Sequence, residues 1–149
     1  YQITEEFYPA FSSKGLQLNA NIQPGLRLRG DADKLARVFD NLLRNAVSYS
    51  YENTVIQLIA QSEGDYIQIV VRNRGDRIPP QKLERLFEKF YRVDTSRGTA
   101  SGGAGLGLAI AKQLVELHQG TIEVRSLDTY TEFMVQLPGK SRAEQEQTS

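Results

Sequence analysis

The chain has 149 residues, a length that suits one domain built on a single core. Its 18 Lys and Arg balance 18 Asp and Glu, which leaves no basic footprint for nucleic acid or an anionic membrane surface, and the lack of cysteine excludes disulfide frameworks and thiolate metal sites. No apolar run reaches the roughly 18 to 20 residues that span a bilayer, no signal peptide opens the chain, and the abrupt start YQITEEFYPAF reads as a piece of a longer protein.

Residues 3–13 place Ile3, Phe7, Ala10 and Phe11 at helix-like spacing, interrupted by Pro9. LQLNANI (16–22) alternates as a strand should, and GLRLR (25–29) reads as a short second strand. Asp31 or Asp33 can cap the next helix, which runs to about Tyr49. Strands are expected over 54–62 and 66–72, joined by a hairpin turn at Glu63-Gly64-Asp65. Pro79-Pro80 opens a helix near 81–88, and residues 92–105, rich in Ser, Thr, Ala and Gly, read as a mobile loop. A helix from about 105 is expected to stop at Gly120 as its C′ residue, with a final hairpin over 121–126 and 131–137. The expected domain is 1–138, and the polar residues 139–149 read as a disordered tail. Strands and helices in this order do not make βαβ units. They predict an α/β (α+β) two-layer sandwich, with helices on one face of a mixed, largely antiparallel sheet.

The helix over 33–49 carries two stripes. Leu35, Val38, Phe39, Leu42, Ala46 and Tyr49 form the apolar one. Beside it lie Arg37, Asn41, Asn45 and Ser48, with the two asparagines one turn apart. Asn is a mediocre helix former, so two of them at the core edge need a reason. They either cap a neighbouring loop or supply oxygen to a hard cation such as Mg²⁺, which takes few protein ligands and completes its shell with phosphates.

SGGAGLGLAI (101–110) puts glycines against the start of a helix, where the backbone can approach a ligand closely and free N–H groups favour phosphate. No Lys-Ser/Thr pair follows, which excludes a Walker A loop, and no strand immediately precedes it, which excludes a Rossmann fingerprint. RNRGDRIP (72–79) leaves a strand with a polar side chain that can read a base edge, or it is an ordinary strand-ending turn. In LFEKFYR (86–92), Phe87 and Phe90 would anchor the loop that follows, and Arg92 can reach a phosphate.

In this order NLLRNA (41–46), NRGDRIP (73–79), FEKFYR (87–92) and GGAGLGLAI (102–110) resemble the N, G1, F and G2 boxes of sensor histidine kinases, within the larger ATPase group that includes gyrase and Hsp90. The resemblance covers about residues 25–138. The wording FEKFYRVD and GGAGLGLAIAK, with Tyr130-Thr131-Glu132-Phe133 near the end, is similar to the vancomycin-resistance sensors of that family. The resemblance implies a domain that binds Mg-ATP and phosphorylates a histidine on a separate helical dimerisation domain, for onward transfer to a response regulator. The parent would be a bacterial plasma-membrane sensor, with this piece in the cytoplasm and touching neither membrane nor nucleic acid.

Carried over by residue, Asn45 becomes the Mg²⁺ ligand, Asn41 its phosphate-side neighbour, and Arg92 the contact to the terminal phosphate. Tyr49 would pack against the adenine, Asn73 would read its amino group, Gly75 would make room for the base and Thr131 would also contact the nucleotide, while Gly103, Gly105, Leu106 and Gly107 would close over the triphosphate. Three positions depart from the family pattern. Asn73 replaces the usual Asp, although its carbonyl can still accept a hydrogen bond. Arg77 replaces a Gly and calls for an unusual backbone or a reshaped loop. Ser48 replaces a Lys, for which Arg37 or Lys89 would substitute.

Two other functions compete. An ATP hydrolase or switch of the gyrase or Hsp90 kind would carry a Glu base four residues before the metal Asn; Asn41 stands there and cannot take a proton. A degenerate, non-catalytic interaction module would bind no nucleotide. His118, the single histidine, is expected to be structural: a partly positive imidazole at a helix end, followed by Gln119 where the family's phosphoacceptor has an acidic residue.

Overall fold

The computed structural model describes residues 14–26, 30–89 and 107–139. In chain order these form β1 (Gln17–Ile22), α1 (Ala32–Tyr49), β2 (Val55–Glu63), β3 (Tyr66–Arg74), α2 (Pro80–Leu83), α3 (Gly107–Leu117), β4 (Thr121–Leu127) and β5 (Tyr130–Pro138). The five strands make one sheet in the order β1-β2-β3-β5-β4. Only β1 and β2 run parallel; the other pairs are antiparallel. The mixed, largely antiparallel sheet is as expected.

Strand alternation sorts the side chains. Ile67, Ile69 and Val71 of β3 and Phe133, Val135 and Leu137 of β5 share one core with Leu35, Val38, Leu42, Leu43 and Ala46 of α1 and Ala111 and Val115 of α3. Leu43 lies outside the apolar stripe drawn from the sequence. It is nonetheless buried, at 2% exposed. On the other face of the sheet Glu132 is 2% exposed, and its carboxylate accepts from Arg72 Nε at 2.7 Å and Arg125 Nε at 2.9 Å.

α1 starts where its orphan donors find a cap: Asp31 Oδ1 accepts from the N–H of Asp33 at 2.9 Å and of Lys34 at 3.1 Å. No basic residue of its own occupies the last turn. Instead the Lys14 ammonium donates to the carbonyls of Val47 (2.6 Å), Ser48 (3.2 Å) and Ser50 (3.2 Å), which satisfies orphan acceptors and suits the negative helix end.

Several expectations are corrected. The helix over 81–88 is a single turn, Pro80–Leu83, followed by short-range bonds such as Glu88 N–H to Arg85 O at 3.0 Å. With Leu86 buried and Phe87 set edge-on to Phe133, this segment is held by anchoring rather than by helix continuation. Gly25 is not in a strand but at a turn with φ +81, a conformation glycine adopts freely. The left-handed residue ending α3 is Gln119, at φ 61, not Gly120. Gln119 N–H bonds Glu116 O and Gly120 N–H bonds Val115 O, each at 2.9 Å, a Schellman closure one residue earlier than expected. Gly120 is needed for space, since a Cβ there would lie 2.3 Å from Gln136 O. Gly139 is buried and donates to Asp65 O at 2.9 Å. The segments 3–13, 27–29, 92–105 and 140–149 singled out above lie outside the described residues.

Candidate nucleotide site

The end of α1 meets the end of β3. Because Asn73 alternates with Val71 and Ile69, it turns its side chain toward the helices and is 2% exposed. Thr131, 4% exposed, is its register partner on β5. Two residues on, Gly75 lies so close to α1 that a Cβ would stand 2.3 Å from Tyr49 O and 3.3 Å from Asn73 Nδ2. Tyr49, Asn73, Gly75 and Thr131, assigned together from the sequence, are therefore brought together.

The turn after β3 is tied from two sides. Gly75 N–H donates to Thr129 O at 2.9 Å, and Tyr51 N–H donates to Arg74 O at 2.8 Å. Tyr51 Oη donates to the Asp76 carboxylate at 2.6 Å. That hydrogen bond, with smaller contributions from desolvation and the charge of Asp76, raises the phenol above the ordinary tyrosine value. Farther along, Ile78 N–H donates to Ser126 Oγ at 2.8 Å, and Ser126 Oγ shares a proton with Thr131 Oγ1 at 3.2 Å. Arg77 is exposed and is not among the residues with positive φ, so it needs no unusual backbone. The sequence reading missed Tyr51, Asp76, Ser126 and Lys14, and only the Asp76 carboxylate beside Gly75 offered a hint.

The other end of the site lies where α1 packs on α3. Gly107 opens α3, and a Cβ on it would sit 3.7 Å from Asn41 Cγ and 3.8 Å from Asn41 Oδ1. Asn45 follows one turn along α1 on the same face, half-buried. From Asn41 to Tyr49 the helix spans roughly 12 Å.

Asn41 Nδ2 and Asn73 Nδ2 are the two buried side-chain polar atoms without a hydrogen-bond partner among the described residues. Loop capping by the asparagine pair is therefore not seen at Asn41. A buried donor left unpaired costs about 1–3 kcal/mol, and such groups concentrate where a ligand completes them. Among the described residues no three His, Cys, Asp or Glu cluster, so a cation here would rest on amide and ligand oxygens. Arg92, Gly103, Gly105 and Leu106 lie outside the described residues; Arg37 and Lys89 are exposed.

His118 holds two elements together. Its Nε2 accepts Asp31 N–H at 3.1 Å, which leaves Nδ1 to donate to Leu114 O at 2.8 Å. The ring thus joins the start of α1 to the end of α3, and Gly30 makes room for it, since a Cβ there would lie 2.1 Å from the imidazole.

Residues 30–141 match the family of histidine kinase-, DNA gyrase B- and HSP90-like ATPases. Sensor protein VanS of Enterococcus faecium is 49% identical over 137 residues, which span 92% of this chain and 35% of that protein. The chain thus covers little more than a third of that curated relative. Among solved structures, the mycobacterial sensor histidine kinase MprB superposes with a TM-score of 0.77 at 27% identity, covering 93% of this chain and 92% of that one. Full-length ShkA in complex with AMPPNP superposes with a TM-score of 0.79 at 28% identity, covering 94% of this chain and 29% of that one.

Proposed function

This chain belongs to the family of histidine kinase-, DNA gyrase B- and HSP90-like ATPases, and on that premise we propose that it is the nucleotide-binding catalytic domain of a sensor histidine kinase. In this reading it holds Mg-ATP and presents the γ-phosphate to a histidine on a separate helical dimerisation domain of its parent. A response-regulator aspartate receives the phosphoryl group next. The parent is a bacterial plasma-membrane sensor, and this domain works on its cytoplasmic side; among the described residues no helix is long and apolar enough to cross a membrane.

One observation carries the reading. The two unpaired buried amides fall on two residues assigned from the sequence, one beside Gly107 and one beside Gly75. In the proposed mode, the base lies over Tyr49 and meets Asn73 and Thr131. Asn41 Nδ2 donates to a phosphate oxygen, an acceptor suited to a buried donor. Asn45 would hold Mg²⁺ through its amide oxygen, Arg92 would take the terminal phosphate, and Gly103, Gly105, Leu106 and Gly107 would close over the chain of phosphates. Bound Mg²⁺ would neutralise charge developing on the phosphoryl oxygens.

The chemistry asks little more of the protein. A neutral imidazole is already a nucleophile, so positioning and charge neutralisation suffice, and no base is needed at position 41. The reading predicts a rise in melting temperature with ADP and a larger one with Mg-ATP, since a ligand bound only by the folded state stabilises it in proportion to ln(1 + [L]/Kd). It also predicts negligible self-phosphorylation by this chain alone and phosphorylation of the parent's helical domain when the two are mixed. No melting shift with either nucleotide at millimolar concentration would favour the degenerate interaction module instead.

A further inference from the structure

A carboxylate at the base-reading position can only accept hydrogen bonds, whereas an amide accepts with one end and donates with the other. The Watson–Crick edges of the purines differ in the same sense. Adenine donates at N6 and accepts at N1; hypoxanthine and guanine accept at O6 and donate at N1. A carboxylate therefore suits the 6-amino group and repels a 6-oxo group, while an amide turned by half a rotation matches either.

Three observations show that this chain's pocket has the reversible chemistry. Asn73 is nine-tenths buried and more, and its Nδ2 has no partner among the described residues, so no protein hydrogen bond on that nitrogen locks the amide in one orientation. Its register partner Thr131 meets Ser126 hydroxyl to hydroxyl at 3.2 Å, a bond in which either oxygen donates; reversing it turns Thr131 from donor to acceptor toward a ligand. The carboxylates flanking these residues in sequence are engaged elsewhere. Asp76 accepts from Tyr51 Oη, and Glu132 pleats to the opposite face and takes Arg72 and Arg125.

Resting on the nucleotide-site reading above, we propose that Asn73 and Thr131 make this pocket indifferent to the purine 6-position, so that it binds 6-oxo purine nucleotides as well as adenine nucleotides. The substrate class widens from ATP to purine nucleoside triphosphates. Hypoxanthine is the clean probe, because it differs from adenine at the 6-position without adding guanine's 2-amino group.

Calorimetric titration of the whole chain with ADP, IDP and GDP, repeated on Asn73→Asp, tests this. The wild type binds IDP within about tenfold of ADP, and Asn73→Asp widens that gap by a further tenfold or more, as expected when a carboxylate faces O6 (tenfold being about 1.4 kcal/mol). An IDP affinity more than about tenfold below that of ADP in the wild type overturns the proposal, with or without a folded variant. So does a gap that Asn73→Asp leaves unchanged. If ADP itself does not bind, the nucleotide-site reading falls first; if ADP binds and IDP does not, only the present inference falls. GDP reports separately whether the pocket has room at the 2-position.

Discussion

Gly75→Ala places a methyl group where the structure has almost no space. The new Cβ would stand 2.3 Å from the Tyr49 carbonyl oxygen, about 1.1 Å inside the 3.4 Å of an ordinary contact. The obstacle is backbone at the end of α1, not a side chain that can swing aside, and Gly75 N–H is held by Thr129 O at 2.9 Å. Either the β3 turn or the last turn of α1 must move by about an ångström. Overpacking of this kind costs about 1–3 kcal/mol. At about 2–4 °C per kcal/mol for a domain of this size, the melting temperature should fall by roughly 4–8 °C at the 2 kcal/mol midpoint of that range. Glycine's φ here is not in the left-handed region, so the loss comes from the contact and not from backbone strain. Because the same shift separates Tyr49 from Asn73, ADP affinity should fall by at least about tenfold, measured by calorimetry on protein that circular dichroism shows to be folded. A variant with wild-type melting temperature would refute the close packing of the turn under α1. A destabilised variant with unchanged ADP affinity would refute the placement of the base pocket.

Asn45→Ala should weaken Mg-ATP binding at least tenfold while changing stability by less than about 1 kcal/mol, because Asn45 is half-buried beside the apolar stripe rather than in it; equal loss of both would remove it as the metal ligand. Glu132→Gln should cost about 2 kcal/mol in denaturant unfolding, through weakened bonds to Arg72 and Arg125, yet leave ADP affinity nearly intact, since Glu132 faces away from the helices. The raised Tyr51 phenol keeps its proton in the folded state, so its bond to Asp76 stabilises the turn below the ordinary tyrosine range and is lost as pH climbs through the raised value. In Asp76→Asn the Tyr51 ring resonances, followed by NMR, should titrate at lower pH, and identical titrations would show that the bond does not form in solution. His118→Ala should destabilise by about 1–2 kcal/mol without altering nucleotide affinity, and no acid-labile phosphate should appear on His118 in the isolated chain, because both ring nitrogens are engaged within the fold.

The legible parts of this protein are those governed by period and punctuation. Alternation and turn signals marked the five strands, the 3.6-residue period located α1, and of the two candidate caps, Asp31 and Asp33, the structure uses Asp31. Four short boxes marked most of the site, and the structure brings Tyr49, Asn73, Gly75 and Thr131 together at one end and Asn41 and Gly107 at the other. What was not legible depends on neighbours distant in sequence. Lys14 caps a helix 33 residues away, and Asp31 meets His118 across 87 residues, so no local pattern announces either bond. The helix over 81–88 failed because Leu86 is apolar for burial in the core and Phe87 for its edge-on contact with Phe133, rather than for a continuing helical face. Gln119 took the left-handed position because Gly120 was needed one residue later, where no side chain fits.

The most direct test of the central claim is a backbone and side-chain amide NMR titration of the chain with ADP and then with Mg²⁺. The account predicts that the largest shifts fall on Tyr49, Asn73, Gly75, Gly107 and Thr131 and on the side-chain amides of Asn41 and Asn73, with Asn45 moving when Mg²⁺ is added. Arg72 and Glu132, paired on the opposite face of the sheet, should stay in place. Shifts centred on those outer-face residues, with the Asn41 and Asn73 amides unmoved at saturation, would contradict it.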